Sequence, residues 1–254
     1  MYKLKINILS WNLCWEAMKA SKSKNLDMRK CLINNKNVCK EKVVDKLKKI
    51  IIENNLHLLS FQEFNIMNEL VNFKEFNNYH LVKGVSGKET AVSLFRRDLF
   101  RYINHEYGDL CGKNMGRTYL LLELLNKKTK EKNIFLNVHF PHKDSPFKGA
   151  RVKAEEKMKN LIRKYKTYRI IIAGDHNYEY NMKSYKKFIK KNFFLDSDSK
   201  NTCCTPNTTK KPSLKYDIIL DTKDNKIKYT FPRNPKNNKM FVSDHVPIIA
   251  SVIY

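Results

Sequence analysis

The stretch RIIIAGDHN, residues 169–177, decides the fold that this sequence predicts. Residues 169–173 form an apolar, β-branched run that is typical of a short buried strand. The run stops at Gly174 and Asp175, so a carboxylate stands at the carboxyl end of the strand. A side chain in that place avoids the core, while the rigid sheet fixes its position. Such positions are favoured for binding and catalysis.

Polar side chains stand at the ends of other strand-like runs as well. These residues are Asn12, Glu63, His139, Asn177, Asp217, Asp244 and His245. Taken singly, a strand-end Asp or Asn is usually a turn residue, and a His within a strand is usually structural. Taken together, they supply oxygen ligands for a hard cation and imidazoles for acid–base chemistry. We therefore expect them to form one site.

Strand and helix patterns extend along the whole chain. Helical spacing predicts helices over 41–54 and 148–165, the second with Val152 on its apolar face, and shorter helices over 66–71 and 181–191. Residues 16–37 are polar and irregular, which predicts a long loop. Strands are predicted over 4–11, 56–61, 79–83, 90–95, 102–107, 118–125, 133–140, 169–173, 216–220 and 246–253. Because no linker or repeat interrupts this pattern, we expect one α/β domain over 1–254, with two packed sheets and helices on their outer faces.

The composition is strongly basic. The 254 residues include 50 Lys and Arg against 25 Asp and Glu, for a formal net charge of +25. Such a charge favours polyanionic partners such as nucleic acid, anionic lipid or small phosphates. An alternative stays open, because Lys, Asn and Ile share A/T-rich codons and genome composition alone can enrich surface lysine. A hydrophobic content of 42% excludes a disordered basic tail.

The six cysteines form no CxxC pair and have no zinc-finger spacing. The first ten residues lack a secretory apolar region, and no run of about 18 apolar residues occurs. We therefore expect free thiols, no signal peptide, no membrane span, and an intracellular, reducing compartment such as the cytoplasm or nucleus.

Six segments in order resemble the endonuclease/exonuclease/phosphatase superfamily, which includes DNase I and the exonuclease III-type enzymes. They are SWN (10–12), QE (62–63), NVH (137–139), GDHN (174–177), YDIIL (216–220) and SDH (243–245). The resemblance covers essentially the whole chain. It implies a DNase I-like four-layer α/β sandwich with two mixed, mainly antiparallel sheets.

The resemblance also implies a metal site and a water-activating group. Glu63 matches the main Mg²⁺ ligand, with Asn12 beside it and Asp244 completing a second metal position; Mn²⁺ is a possible substitute. Asp175 matches the aspartate that orients or deprotonates the attacking water. Asn177 matches the asparagine that contacts the phosphate and positions that water.

Three further residues match groups that handle the phosphate. His245 matches the histidine that binds the scissile phosphate, and Asp217 matches the aspartate that orients it. His139 matches a histidine that contacts the phosphate or assists the leaving group. Family members divide the acid and base roles differently, so the general base stays open.

Several residues near these motifs are weaker candidates for substrate binding. They are Arg117, His142, Arg151, His176 and Tyr178. Each has an ordinary alternative as a packing or surface residue. The segment HFPH (139–142) differs from the Tyr-x-Pro-Asn-like segment of exonuclease III-type enzymes, which argues against abasic-site specificity. The basic loops 19–40, 207–215 and 233–239 are expected to lie near the site and to contact a nucleic-acid backbone.

The leading hypothesis is a monomeric, Mg²⁺-dependent phosphodiesterase that acts as a nuclease on DNA or RNA. Only nine of the 50 basic residues are arginine, which favours backbone contacts and low sequence specificity. Two alternatives stay open. One is a phosphohydrolase of a small or lipid-linked phosphate, a cyclic dinucleotide or a tyrosyl–DNA link. The other is a non-catalytic nucleic-acid-binding module on the same fold.

Overall fold

Two large β-sheets, a small two-stranded sheet and two outer helices make up most of the part of the chain that the computed structural model describes. The described residues are 4–14, 32–33, 36–37, 39–64, 66, 73–86, 89–112, 116–142, 149–177, 187, 193, 201–203, 215–223, 227–230, 232, 243 and 245–254.

The helices are α1 (Cys39–Asn54) and α2 (Ala150–Lys164), with a short 3-10 helix over Lys74–Asn78. The strands are β1 (Lys5–Asn12), β2 (Leu32–Ile33), β3 (Lys36–Asn37), β4 (Leu58–Gln62), β5 (Tyr79–Ser86), β6 (Glu89–Arg96), β7 (Phe100–Asp109), β8 (Thr118–Asn126), β9 (Lys132–His139), β10 (Arg169–Asp175), β11 (Asp217–Asp221), β12 (Lys228–Thr230) and β13 (Ile248–Ile253).

The two large sheets have matching architecture. Sheet I has the strand order β12-β13-β1-β4-β6-β5, and sheet II has the order β11-β10-β9-β8-β7. Each contains one parallel pair, β1 with β4 and β9 with β10, while the remaining pairs are antiparallel. A parallel pair needs a crossover connection, and α1 and α2 lie in those two connections.

This topology gathers the polar strand ends at one end of the sandwich. We call the end where β1, β4, β9 and β10 finish the carboxyl edge, and the end where they begin the amino edge. In the antiparallel β10–β11 pair, Asp175 lies opposite Asp217, so β11 begins at the carboxyl edge. Ile248 lies opposite Ser10, which brings the segment before β13 to the same edge.

Apolar side chains fill three layers of core. One cluster lies between α1 and sheet I and includes Trp11, Leu47 and Phe61. A second lies between α2 and sheet II and includes Met158 and Ile172. The third lies between the sheets, with Ile8, Phe135, Ile171 and Val252 among its members. Helix, sheet, sheet and helix therefore form the expected four layers.

Most of the predicted elements are present with shifted ends, and three differences are informative. Val152 is 69% exposed, so its placement on the apolar face of the second helix is wrong; Ala150, Ala154, Met158 and Leu161 form that face instead. Within the predicted long loop, Leu32–Ile33 and Lys36–Asn37 pair as two short strands. The predicted helices over 66–71 and 181–191 lie outside the described residues except at 66 and 187.

Cys14 and Cys111 are buried cysteines that form no disulfide, whereas Cys203 is disulfide-bonded. The prediction of free thiols is therefore wrong for Cys203, because sequence spacing alone cannot assign cysteine pairing. Disulfides are rare in reducing compartments, so the cysteines no longer support assignment to one. In the described part of the chain, no helix is long and apolar enough to cross a membrane.

Candidate active site

The end of β10 forms the centre of the carboxyl edge. The carboxylate of Asp175 is buried, and its Oδ1 accepts a hydrogen bond of 2.8 Å from the backbone N–H of Asn177. Asn177 has a positive φ of 48°, which asparagine tolerates better than most residues. The turn therefore fixes one oxygen of Asp175 and leaves Oδ2 directed toward the neighbouring strands.

Nitrogen atoms from four residues surround Asp175 Oδ2. The amides of Asn12 and Asn177 donate to it at 3.0 and 3.1 Å. The Nε2 atoms of His139 and His245 lie at 3.4 and 3.7 Å. These side chains come from both sheets and from the segment before β13, so the packing of the two sheets assembles the site.

Asn12 links the two carboxylates at this edge. Its Nδ2 donates to Glu63 Oε1 at 3.2 Å and to Asp175 Oδ2 at 3.0 Å, while its Oδ1 accepts from the N–H of Cys14 at 2.9 Å. Glu63 and Cys14 have positive φ angles of 53° and 52°. Non-glycine residues hold this conformation at a cost that is commonly found at functional sites.

His245 and Asp217 form a buried pair beside Asp175. His245 Nδ1 lies 2.8 Å from Asp217 Oδ2, so the ring donates from Nδ1 and presents Nε2 to the site. Backbone contacts hold the segment that carries His245 in place. Trp11 Nε1 donates to the His245 carbonyl at 3.1 Å, and Ser243 Oγ donates to the Asn12 carbonyl at 2.7 Å.

Thr202 fixes the other half of this pair. Its Oγ1 accepts from the N–H groups of Tyr216 and Asp217 at 3.2 and 2.9 Å. Its carbonyl accepts from the N–H of Val246 at 2.7 Å. One buried threonine therefore ties the start of β11 to the segment of His245, a role that no sequence motif had indicated.

The two aspartates have opposite pKa shifts. Burial alone disfavours ionisation of Asp175, but the charges of His245 and His139 and the hydrogen bonds from Asn12 and Asn177 together hold its pKa below its ordinary value. Burial is the main effect on Asp217 and raises its pKa, although His245 opposes that rise. Asp175 is therefore the more readily ionised carboxylate of the two.

Two arginines reach the site from its periphery. Arg117, just before β8, has Nη1 in contact with His139 Nε2 and 3.2 Å from His139 Nδ1. Arg151, in the first turn of α2, donates from Nη2 to the Asn177 carbonyl at 3.4 Å. Both arginines adjoin catalytic candidates.

The remaining candidates differ in their access to a ligand. His142 is partly buried and lies edge-on to the ring of Tyr216 at 6.1 Å. His176 is buried and stacks on Phe140 with ring centroids 5.1 Å apart. Burial also lowers the pKa of His176 to about 3, so the ring is a neutral packing group that a substrate does not reach. Tyr178 and Asp244 lie outside the described residues.

A buried polar layer beneath the site was not assigned a role from the sequence. Gln62 Nε2 donates to Ser60 Oγ and to Asn137 Oδ1 at 2.9 and 2.8 Å. Asn137 Nδ2 donates to the carbonyls of Phe61 and Val92 at 3.0 Å. These bonds join the sheets directly below Glu63 and His139. The sequence feature that could have indicated these bonds is an amide side chain inside an otherwise apolar strand.

The donor set fits a divalent cation. Glu63 and Asp175 offer carboxylate oxygens, the ligands that Mg²⁺ prefers, whereas Asn12 points its NH₂ at both carboxylates and would offer its Oδ1 only after its amide rotates. Asp175, Asp217 and His245 also each offer one ligand atom, and these atoms lie within 4.8 Å of one another. The described residues of the carboxyl edge can therefore hold a metal ion on either side of Asp175.

By sequence, no protein-family model and no curated protein matches the chain. By structure, solved proteins do match it. An endonuclease/exonuclease/phosphatase family protein from Bacteroides thetaiotaomicron has a TM-score of 0.75 at 15% identity, covering 100% of this chain and 99% of that one.

Two further solved structures are similar over nearly their whole length. A mannosyl-6-phosphatase from Bacteroides thetaiotaomicron has a TM-score of 0.70 at 18% identity, covering 98% of this chain and 99% of that one. A truncated TDP2 from Caenorhabditis elegans has a TM-score of 0.69 at 17% identity, with 98% of each chain covered. The resemblance that six ordered segments had indicated is confirmed in three dimensions, and this chain has the fold of the endonuclease/exonuclease/phosphatase proteins.

Proposed function

We propose that this chain is a Mg²⁺-dependent phosphodiesterase, with residues 1–254 acting as one catalytic domain. The arrangement around Asp175 carries the proposal. Its Oδ2 lies 3.4 and 3.7 Å from two imidazole nitrogens and accepts from two amides, and Glu63 stands on the far side of Asn12. Carboxylates and imidazoles in this arrangement match the chemistry of phosphoester hydrolysis.

Different side chains would have different roles in phosphodiester hydrolysis. Asp175, ionised because its pKa is lowered, orients a water molecule for in-line attack on phosphorus. His245, whose Nδ1 is held by Asp217, presents Nε2 to a phosphate oxygen. Arg117 and His139 lie together on the opposite side, where a guanidinium can stabilise charge on the phosphate.

Glu63, Asp175 and Asn12 are the residues that would hold the Mg²⁺. When bound, the ion supplies positive charge to the non-bridging and leaving oxygens of the phosphate. The Asn12 NH₂ holds the carboxylates of Glu63 and Asp175 together, and its Oδ1 would join the ligand set once the amide rotates toward the ion. Asp244 stays a proposed contributor to a second position.

We infer that the substrate is DNA or RNA, cleaved with little sequence specificity by a monomer. The net charge of +25 supports a polyanionic substrate, and the scarcity of arginine supports backbone contacts over base contacts. The basic loops expected to contact nucleic acid, 19–40, 207–215 and 233–239, lie largely outside the described residues.

A phosphohydrolase of a small phosphate is the second candidate. The similar mannosyl-6-phosphatase fold favours it, because the same sandwich there acts on a sugar phosphate. A shared fold does not fix the substrate, since function depends on loops and site chemistry. The two candidates predict different substrates for the same carboxyl edge.

A substrate panel tests the proposal. Purified protein with Mg²⁺ would be incubated with labelled single- and double-stranded DNA and RNA, an abasic duplex, inositol phosphates, cyclic dinucleotides and mannose 6-phosphate. We expect cleavage of nucleic acid that EDTA abolishes. Cleavage of the small phosphates alone would favour the second candidate, and metal-independent binding without any hydrolysis would favour a binding module.

Matched variants locate the activity. Asp175→Asn should abolish turnover, because it removes the ionised carboxylate at the centre of the site. Asp98→Asn makes the same chemical change at the amino edge, where Asp98 pairs with Arg96, and should leave turnover intact. Equal activity in both variants would show that the site has been misplaced.

A further inference from the structure

The amino edge, opposite the candidate active site, presents a rigid basic turn. Lys127, Lys128 and Lys130 occupy the turn between β8 and β9, and all three are exposed. Asn126 folds this turn, because its Oδ1 accepts from the N–H groups of Lys128 and Thr129 at 2.9 and 3.1 Å. The lysines are therefore displayed on a preorganised scaffold.

Arg97 extends this basic turn toward the edge strand β5. Its carbonyl accepts from Lys127 Nζ at 2.6 Å, and its N–H donates to the Asn78 carbonyl at 2.8 Å. The acids that follow Arg97 and Lys130 in the sequence are already engaged, since Asp98 pairs with Arg96 and Glu131 pairs with Lys223. The positive charge of this turn is therefore not neutralised by those two carboxylates.

A stack of aromatic rings continues the surface from Arg97. His80 on β5 stacks on Phe95 at 5.1 Å and on Tyr102 of β7 at 5.5 Å. Tyr102 Oη lies 2.5 Å from Nδ1 of the exposed His105. Phe95 is buried, while His80 and Tyr102 are partly exposed. The rings span the gap between the edge strands of the two sheets.

We propose that this amino-edge surface, formed by Arg97, Lys127, Lys128 and Lys130 with the rings of His80, Tyr102 and His105, binds single-stranded nucleic acid. Phosphates would contact the basic groups, and unstacked bases would pack on the rings. Basic residues beside aromatic platforms are the combination that binds single strands without sequence preference. A duplex would not use the rings, because its bases are stacked inside the helix.

An anionic membrane is the competing partner for a basic surface, and the apolar exposure argues against it. Among the described residues, the exposed large apolar side chains are Ile52, Ile103, Val152 and Ile253, which lie on four different elements. Binding in a membrane interface requires a contiguous apolar face beside the charges. Stacked rings next to lysines fit nucleic acid better.

This surface does not depend on which bond the carboxyl edge cleaves. β10 spans seven residues between the two edges, about 23 Å at the usual rise per residue. The few nucleotides that occupy the active site would therefore not reach the lysine turn. The amino-edge surface would hold a second segment of a long strand or a separate strand.

The test measures binding of a fluorescent oligothymidylate of about 20 nucleotides by anisotropy, in an Asp175→Asn background that removes cleavage. Lys128→Glu/Lys130→Glu should weaken binding at least about tenfold and reduce the salt slope by about 1.4. Lys153→Glu/Lys159→Glu on α2 gives the same change in charge and should weaken binding less than about twofold. Equal losses would overturn the proposal, because net charge alone would then explain them.

The rings are tested separately. Tyr102→Leu and His105→Ala should each weaken oligothymidylate binding while leaving inorganic polyphosphate binding unchanged, since polyphosphate has no bases to stack. Thermal unfolding of each variant shows whether it is folded, and His105, being exposed, is the safer substitution. Unchanged oligonucleotide affinity in both ring variants, or binding to phosphatidylserine vesicles without oligonucleotide binding, would overturn the proposal.

Discussion

The two ends of the β10–β11 pair bury charge in opposite ways. At the amino edge, Arg169 faces Asp221, and both side chains are at most 2% exposed. At the carboxyl edge, Asp175 lies opposite Asp217, two buried acids on adjacent strands. Opposite charges stabilise a cross-strand pair, whereas like charges destabilise it. The same two strands therefore carry a stabilising ion pair at the amino edge, which we call the lock, and two adjacent acids that repel each other at the carboxyl edge.

In the lock at the amino edge, Arg169 makes several hydrogen bonds besides its ion pair. Arg169 Nε donates to both carboxylate oxygens of Asp221 at 3.1 and 3.0 Å, and its Nη1 donates to the Ile253 carbonyl at 2.9 Å. The Tyr254 ring lies 3.9 Å from the guanidinium carbon. A buried ion pair is tolerated when its hydrogen bonds are complete, as they are here.

The acids of the carboxyl edge are satisfied differently. The amides of Asn12 and Asn177 and the imidazoles of His139 and His245 surround the Asp175 carboxylate. In the proposed function, this buried carboxylate would face a cation, with the histidines toward the phosphate. The comparison places a buried ion pair at one end of the strand pair and the proposed catalytic acids at the other end.

The largest effect should come from Asp175→Asn. Loss of the central carboxylate should lower kcat/KM at least about a thousandfold, because the attacking water loses its orienting base. The unfolding temperature should change by only a few degrees, since asparagine keeps one acceptor for the surrounding amides. Turnover is measured with the substrate that the panel identifies. Retained turnover would show that the activity does not depend on the acids of the carboxyl edge.

Arg169→Met should have the next largest effect, and on stability instead of chemistry. Removing the guanidinium leaves Asp221 buried without its partner, which should cost about 3–5 kcal/mol in the free energy of unfolding. Denaturant unfolding measures this loss. The double variant Arg169→Met/Asp221→Leu should recover most of it, and kcat of the folded protein should be unchanged in both. A double variant as unstable as the single one would show that the unpaired Asp221 does not cause the loss of stability.

Gly174→Ala sharpens the comparison at the carboxyl edge. A Cβ at this position would lie 2.0 Å from the Val138 carbonyl oxygen, so β9 and β10 must separate and displace Asp175. We expect a loss of about 1–3 kcal/mol in unfolding free energy together with a reduced kcat. Gly84→Ala is the matched control, because the atoms nearest to its Cβ would belong to the Tyr107 side chain and not to the backbone. That control should lose stability without losing kcat per folded molecule.

The smallest predicted effect concerns pH at the amino edge. His57 Nδ1 accepts from the N–H of Asn7 at 2.8 Å, and burial, together with Arg96, lowers the pKa of His57 from 6.5 to about 4. Because the folded pKa is the lower one, the unfolded chain binds the proton first. Stability from neutral His57 is complete above pH 6.5 and is lost as the pH falls toward 4.

His57→Asn isolates this contribution. Asparagine keeps an acceptor in place of Nδ1 but does not titrate. The unfolding temperature of the variant, followed between pH 7 and about pH 4, should fall less steeply than that of the wild type. Parallel profiles would show that His57 does not contribute to acid sensitivity.

The strands were predictable because their β-branched runs are long and their ends carry polar residues. The six ordered segments also located Asp175, Asp217 and His245 at one edge. Val152 was misplaced because helical spacing allows two neighbouring faces when many positions are lysine. The short β12 (Lys228–Thr230) was missed because its exposed, intermediate and exposed side chains give no apolar signal.

The contacts within the site were not predictable, because they depend on how two sheets pack. No local pattern shows that Thr202 caps the start of β11 or that Trp11 holds the carbonyl of His245. The orientation of the Asn12 amide, with its NH₂ between two carboxylates, depends on contacts 51 and 163 residues away. The pairing of Arg169 with Asp221 requires the register of β10 on β11, which the sequence does not encode locally.

Thermal unfolding with and without MgCl₂ tests the central claim most directly. If the buried acids of the carboxyl edge await a cation, Mg²⁺ should bind the folded state and raise the unfolding temperature of the wild type as its concentration rises. The rise should be lost in Asp175→Asn and retained in Asp98→Asn. No rise in the wild type, or an equal rise in Asp175→Asn, would contradict the account.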